Sequence, residues 1–148
     1  DECPFEILYH CNIGYPLLSE KSKVTIPSSK VTARNEHAKE GIENCLEMEV
    51  PQKGYEEKCY YHTLCGKPAV SVSNGDIKKK LSIVYDTDEL KYFTQWKMMG
   101  EYEYVLGLEP GNCLPDGRDV MRKNNMLCFL KPDETKTHHI KFEFAEEK

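Results

Sequence analysis

Short runs of alternating apolar and polar residues, each closed by glycine, proline or asparagine, recur along this chain and constrain its fold more than any other feature. A period of two puts the apolar side chains on one face of an extended strand, so each run is a strand with one face to bury. Over residues 5–12, Phe5, Ile7, Tyr9 and Cys11 share one face, and Glu6, Leu8, His10 and Asn12 the other, until Gly14-Tyr15-Pro16 closes the run. Further strands are expected at residues 24–26, 44–50, 58–64, 69–72, 81–85, 93–97, 102–109, 126–130 and 140–144. Within these, Leu46, Met48 and Val50 oppose Cys45, Glu47 and Glu49, and Tyr60, His62 and Leu64 lie together. Asn74-Gly75 is a hairpin signal and Met99-Gly100 a turn. Residues 32–41 read as a polar loop and 117–125 as turn-rich. Nine or ten ordinary strands with little helix predict an all-β fold, an antiparallel sandwich or barrel.

Composition leaves such a fold room to form. The 148 residues are enough to bury a core, and no linker or repeat divides them, so 1–148 is read as a single domain. With 30% charged and 39% hydrophobic residues, the chain is neither disordered nor fibrous. A formal charge of −5 argues against a counterion-releasing hold on nucleic acid. The Lys78-Lys79-Lys80 run reads as a solvated turn. No apolar stretch approaches the roughly 18 residues of a membrane-spanning helix. Seven cysteines, an odd number without C-x-x-C spacing, read as reduced thiols of a cytoplasmic protein, with no metal site and no disulfide framework. The sequence starts at Asp1 without methionine and is regular by Phe5, which points to a natural chain beginning earlier.

His10 on the first strand and Glu109 at the end of a late one are the residues best suited to chemistry. A carboxylate and an imidazole on either side of a ligand make a general base and a general acid that coexist near neutral pH. Glu109 follows the apolar run from Tyr104 to Leu108, so it needs a partner or a ligand to justify burial. Gly107, two residues earlier on the same face, removes a side chain and leaves room for close approach. From pattern alone, a strand histidine is more often a hydrogen-bonded or exposed residue than a catalyst, and Trp96, the single tryptophan, reads first as core. His138 and His139 are adjacent and cannot pair on a metal from one strand. Arg118 and Arg122 suit surface ion pairs. No serine-hydrolase, P-loop, zincin or dinucleotide-binding motif is present.

Two longer segments resemble a known family. Pro4-Phe5-Glu6-Ile7-Leu8-Tyr9-His10-Cys11-Asn12-Ile13-Gly14-Tyr15-Pro16-Leu17 is similar to the strand bearing the acid histidine of the aldose 1-epimerases, in a P-x-x-x-x-x-H-x-N-x-G-x-P-L context. Gln95-Trp96-Lys97-Met98-Met99-Gly100 through Tyr104-Val105-Leu106-Gly107-Leu108-Glu109-Pro110-Gly111-Asn112 looks like the stretch that delivers that family's glutamate. Between them, the segment ending Glu57-Lys58-Cys59-Tyr60-Tyr61-His62 resembles the family's middle portion, where a polar residue near His62 faces the sugar. Phe129-Leu130-Lys131-Pro132-Asp133-Glu134 resembles its late L-x-P-G-E turn, with Asp133 in place of glycine.

The resemblance implies the antiparallel, galactose mutarotase-like (supersandwich) fold, of which this chain would be the C-terminal half. It also implies a mutarotase-like isomerase that interconverts sugar anomers without cofactor or metal. Glu109 would be the base, His10 the acid, and Asn12, His62 and Trp96 substrate contacts. The partner implied is a small aldose or a derivative, and the identity of the sugar is left open. Longer members draw an arginine and a second histidine from their N-terminal half, so the chain would act as a homodimer or with a separate N-terminal half. Two other readings stand beside the enzyme: a non-catalytic carbohydrate-binding domain using the same face, and a structural half whose sheet edge pairs with another chain.

Overall fold

The computed structural model describes residues 1–147. In chain order it contains β1 (Cys3–Phe5), β2 (Cys11–Ile13), β3 (Lys23–Thr25), β4 (Lys30–Ala33), α1 (Glu36–Lys39), a 3-10 turn (Ile42–Asn44), β5 (Lys58–Thr63), β6 (Ala69–Asn74), β7 (Lys79–Tyr85), β8 (Tyr92–Met99), β9 (Tyr104–Gly111), α2 (Arg118–Lys123), β10 (Cys128–Leu130) and β11 (Ile140–Glu146). A five-stranded sheet runs β2-β9-β8-β5-β4, a four-stranded sheet runs β11-β7-β6-β3, and β1 pairs with β10. Every named strand pair is antiparallel. The fold is therefore the all-β antiparallel sandwich that the alternating runs predict. Among the described residues no helix is long and apolar enough to cross a membrane.

The core lies between the two larger sheets. Val70, Val72, Leu81, Ile83 and Tyr85 of the four-stranded sheet meet Phe93, Met99, Leu106 and Leu108 of the five-stranded sheet in one buried cluster. The rings of Tyr85 and Phe93 stack across it, 6.1 Å apart. Burying each such side chain contributes about 1.5–3 kcal/mol, so this interface accounts for most of the drive to fold. At one edge the match fails. Ile140, Phe142 and Phe144 of β11 stand opposite Tyr85, Ile83 and Leu81 and so point to the core side. Phe142 is nevertheless 49% exposed and Phe144 80%.

The expected strand at residues 44–50 does not form. The 3-10 turn occupies its start, and the rest pairs with no strand. The segment is laced down by side chains instead: Gln95 Nε2 donates to Cys45 O (2.7 Å), Lys97 Nζ to Glu47 O (2.6 Å) and Tyr104 Oη to Glu49 O (2.7 Å). Alternate carbonyls thus face the sheet while Leu46 and Met48 pack on the core, which is why the sequence alternates as a strand would. The run at residues 5–12 is likewise interrupted, into β1, a single bridge at Leu8 and then β2. Two short helices fill segments read as loop and turn, α1 being capped by Asn35 Oδ1, which accepts from Ala38 N.

Candidate active site

Side chains that alternate away from the core stand on the outer face of the five-stranded sheet, and register sorts them into two neighbouring rows. Thr94 lies opposite Glu109 and Tyr61 opposite Thr94. The ladder between the first strands and β9 breaks near His10 but keeps its register: Leu8 faces Gly111 and Cys11 faces Leu108, so His10 falls opposite Glu109. The first row is therefore His10, Glu109, Thr94 and Tyr61. In the second, Gly107 lies between Asn12 and Trp96, and Cys59 lies opposite Trp96. Arg34 extends β4 by one residue, its N–H donating to Cys59 O at 3.0 Å, and so closes that row.

These rows line a cleft of about 260 Å³ that includes His10, Glu109, Thr94, Trp96, Arg34 and Glu57. Glu109 has 2% of its side chain exposed, and His10 Nε2 lies 3.0 Å from its Oε1. The approach is off the hydrogen-bonding direction, so among the described residues the shielded Oε1 has no hydrogen-bond partner, and neither has Thr94 Oγ1. Burial pushes the Glu109 carboxyl up from its ordinary value, against the opposing charge of His10. A buried carboxylate oxygen without a donor costs stability, and one that faces an open cleft is placed to take a donor from a bound ligand.

Gly107 makes the arrangement sterically feasible. A Cβ there would overlap Glu109 Oε1 and come within 3.2 Å of Trp96 Cβ, so any other residue displaces the carboxylate. Trp96 spans this gap and meets the His10 ring edge to face, centroids 5.6 Å apart, while its Nε1 donates to Glu57 Oε2 at 2.7 Å. On the far wall Arg34 Nη2 donates to Pro115 O (3.1 Å), and its Nε lies 3.5 Å from Asp116 Oδ1, which also accepts from Tyr61 Oη. Cys59 lines the cleft too, but burial pushes its thiol up to about 12, which rules out a ready thiolate nucleophile. Among the described residues no cluster of three or more histidine, cysteine or carboxylate side chains could hold a metal ion.

Of the residues singled out from sequence, His10, Glu109 and Trp96 come together in the cleft. Asn12 is exposed on the same face but outside the cleft lining. His62 does not join them, and the expectation that it contacts substrate is corrected. It is 4% exposed on the inner face, its Nδ1 bonded with Ser28 Oγ and its Nε2 with Gln95 Oε1, each at 3.0 Å. Burial also lowers its pKa, so it is a neutral core histidine. Arg34, Glu57 and Thr94 were not anticipated. Thr94 was within reach, since it shares the parity of Trp96. Arg34 and Glu57 gave no local signal, because strand neighbours bring them there.

A crystal structure of a Klebsiella pneumoniae protein, provisionally named as an aldose 1-epimerase, superimposes with a TM-score of 0.93 at 25% identity. The match covers 99% of this chain and 40% of that one, so this chain spans well under half the length of its structural relative. The fold is thus aldose 1-epimerase-like. No curated protein matches the sequence. The family model described as "Domain of unknown function (DUF4432)" matches residues 1–144, and the chain belongs to that family.

Proposed function

We propose that this chain interconverts the anomers of an aldose by acid–base ring opening, with Glu109 as base and His10 as acid. The observation that carries the reading is Glu109 itself: buried, without a donor on Oε1, and facing a cleft beside an imidazole. The anomeric hydroxyl of a hemiacetal supplies the missing donor. Glu109 removes that proton, the C1–O5 bond breaks, and His10 delivers a proton to the ring oxygen, leaving the open-chain aldehyde. Rotation about C1–C2 and reclosure run the transfers backwards, so Glu109 returns its proton to O1 and His10 recovers its own. The pair is reset with no net proton change, and no cofactor is needed in the scheme. The raised pKa of Glu109 suits a base, since a carboxyl nearer neutrality accepts a proton more readily than an ordinary one.

Arg34 supports the same reading from the opposite wall. Pro115 and Asp116 hold its guanidinium, which leaves donors for the distal hydroxyls of a sugar whose anomeric end lies at Glu109. We further read the chain as one sandwich unit, corresponding to the C-terminal half of a longer epimerase-like protein. Polarimetry on freshly dissolved aldoses tests the proposal. The wild-type chain should speed the approach to anomeric equilibrium, and Glu109→Gln should remove about 10²–10⁴-fold of that acceleration. Arg34→Gln should raise KM more than it lowers kcat. Binding of the same sugars with no acceleration would make this a carbohydrate-binding domain.

A further inference from the structure

His10 is an unusual residue on which to rest an acid, because little of the fold holds it. Its side chain is 49% exposed, and it stands where the ladder between the first strands and β9 is broken. Among the described residues its ring lies 3.0 Å from the Glu109 carboxylate and edge to face with the indole of Trp96. On the proposed reaction, substrate takes over the Glu109 oxygen that His10 faces in the free protein. From then until product leaves, the indole is what remains to orient the imidazole.

The indole is itself held. Its ring meets His10 at 72° and 5.6 Å, within the edge-to-face range of aromatic pairs. It can reach His10 only because Gly107 lies between Trp96 and Asn12 and carries no side chain. Its Nε1 donates to Glu57 Oε2 at 2.7 Å, and Glu57 sits just before β5, at the mouth of the cleft. Glu57 is exposed and otherwise unneeded by the core, so its carboxylate has no evident structural duty. We propose that Glu57 and Trp96 are positioning residues for the proposed reaction, Glu57 fixing the indole and the indole fixing the imidazole of His10. The proposal rests on the acid role of His10, and it gives Trp96 a duty other than the substrate contact expected of it.

A double-mutant cycle on the full chain, using Glu57→Ala and Trp96→Phe, tests it. Either change should lower kcat about three- to tenfold with KM nearly constant, the size expected for losing one solvent-exposed hydrogen bond that orients a reacting group. The double variant should be no worse than either single one, because Glu57 acts through Trp96. Glu57→Gln, which keeps an acceptor for Nε1–H, should recover most of the loss. Additive effects, or a change confined to KM, would overturn the proposal and leave Trp96 as a sugar platform. If the wild-type chain turns over no aldose, the acid–base reading fails, yet the positioning can still be read from the ring signals of His10 by NMR. Those signals should carry the indole ring-current shift and lose it in Glu57→Ala. Signals unmoved by that substitution would refute the contact chain whatever the activity.

Discussion

The five-stranded sheet sets a carboxylate beside a basic side chain on each of its two faces, and the two carboxyls shift in opposite directions. On the inner face Lys97, 1% exposed, donates to Glu47 O at 2.6 Å and lies 2.8 Å from Glu49 Oε2, while Glu49 Oε1 accepts from Tyr55 Oη. On the outer face Glu109 has His10 alone, and its shielded Oε1, like Glu49 Oε2 on the inner face, has no well-aligned hydrogen-bond donor among the described residues. Burial raises both carboxyls, but the Lys97 ammonium overcomes it and holds Glu49 below its ordinary value, whereas His10 does not overcome it and Glu109 stays above. The Lys97 contact locks the laced segment to the sheet, and every group in it works inside the protein. Glu109 gives the fold nothing comparable. A carboxylate whose burial is outweighed by a neighbouring charge reads as architecture, and one whose burial is not, in an open cleft, reads as a site.

Substitutions should separate the two faces, the largest effect coming from the inner one. Lys97→Ala strands the Glu49 carboxylate and the Glu47 carbonyl and should cost about 3–5 kcal/mol in urea unfolding. Lys97→Met fills the same space, spares part of that loss and should leave turnover per folded molecule intact. Next comes Gly107→Ala, which displaces the Glu109 carboxylate. It should lower kcat by about tenfold or more for a much smaller change in unfolding midpoint, since a small misplacement of a reacting group is expensive. Equal losses of stability and activity would erase the distinction between the faces. Glu109→Gln should raise stability at neutral pH by about 0.5–2 kcal/mol, the usual gain when a strained functional group is relieved.

The smallest effect is the dependence on pH, and its sign differs between the two carboxylates. Because the folded pKa of Glu49 is depressed, the stability it contributes is present above its unfolded value and is lost as pH falls through the folded one, below 4.5. Because that of Glu109 is raised, its contribution is present below the unfolded value and is lost as pH rises through the folded one, above 4.5. The stability gap between Glu109→Gln and wild type should therefore open as pH climbs through that upper window and then level off. Activity should fall on acidification through the same window, since a protonated Glu109 cannot act as base.

Much of this was legible from residue order, and the failures share a cause. Period two identified most of the strands, though not β4, half of which read as polar loop, and put His10 and Asn12 on the face away from Tyr9 and Cys11, as found. It could not tell a strand bonded by its backbone from one laced by Gln95, Lys97 and Tyr104, because both ask for apolar residues at every second position. Nor could it decide which face of β5 was core. Tyr60 and His62 alternate with Cys59 and Tyr61, so both faces look half apolar; the pattern kept His62 with Tyr60 and Leu64, as found, and the sugar-facing role came from the resemblance alone. Arg34 and Glu57 reach the cleft through the β4–β5 register and the start of β5, which local pattern does not encode. The bare side of β11, with Phe142 and Phe144, was equally invisible, since strand alternation says nothing about what a partner sheet covers.

The most direct test is magnetisation-exchange NMR of anomer interconversion over a panel of aldoses, comparing wild type, Glu109→Gln and Lys97→Met at equal folded concentration. Exchange that is accelerated by wild type and by Lys97→Met, and lost in Glu109→Gln, is the predicted result. Acceleration that survives Glu109→Gln, or that none of the three proteins gives with any sugar, would contradict the account.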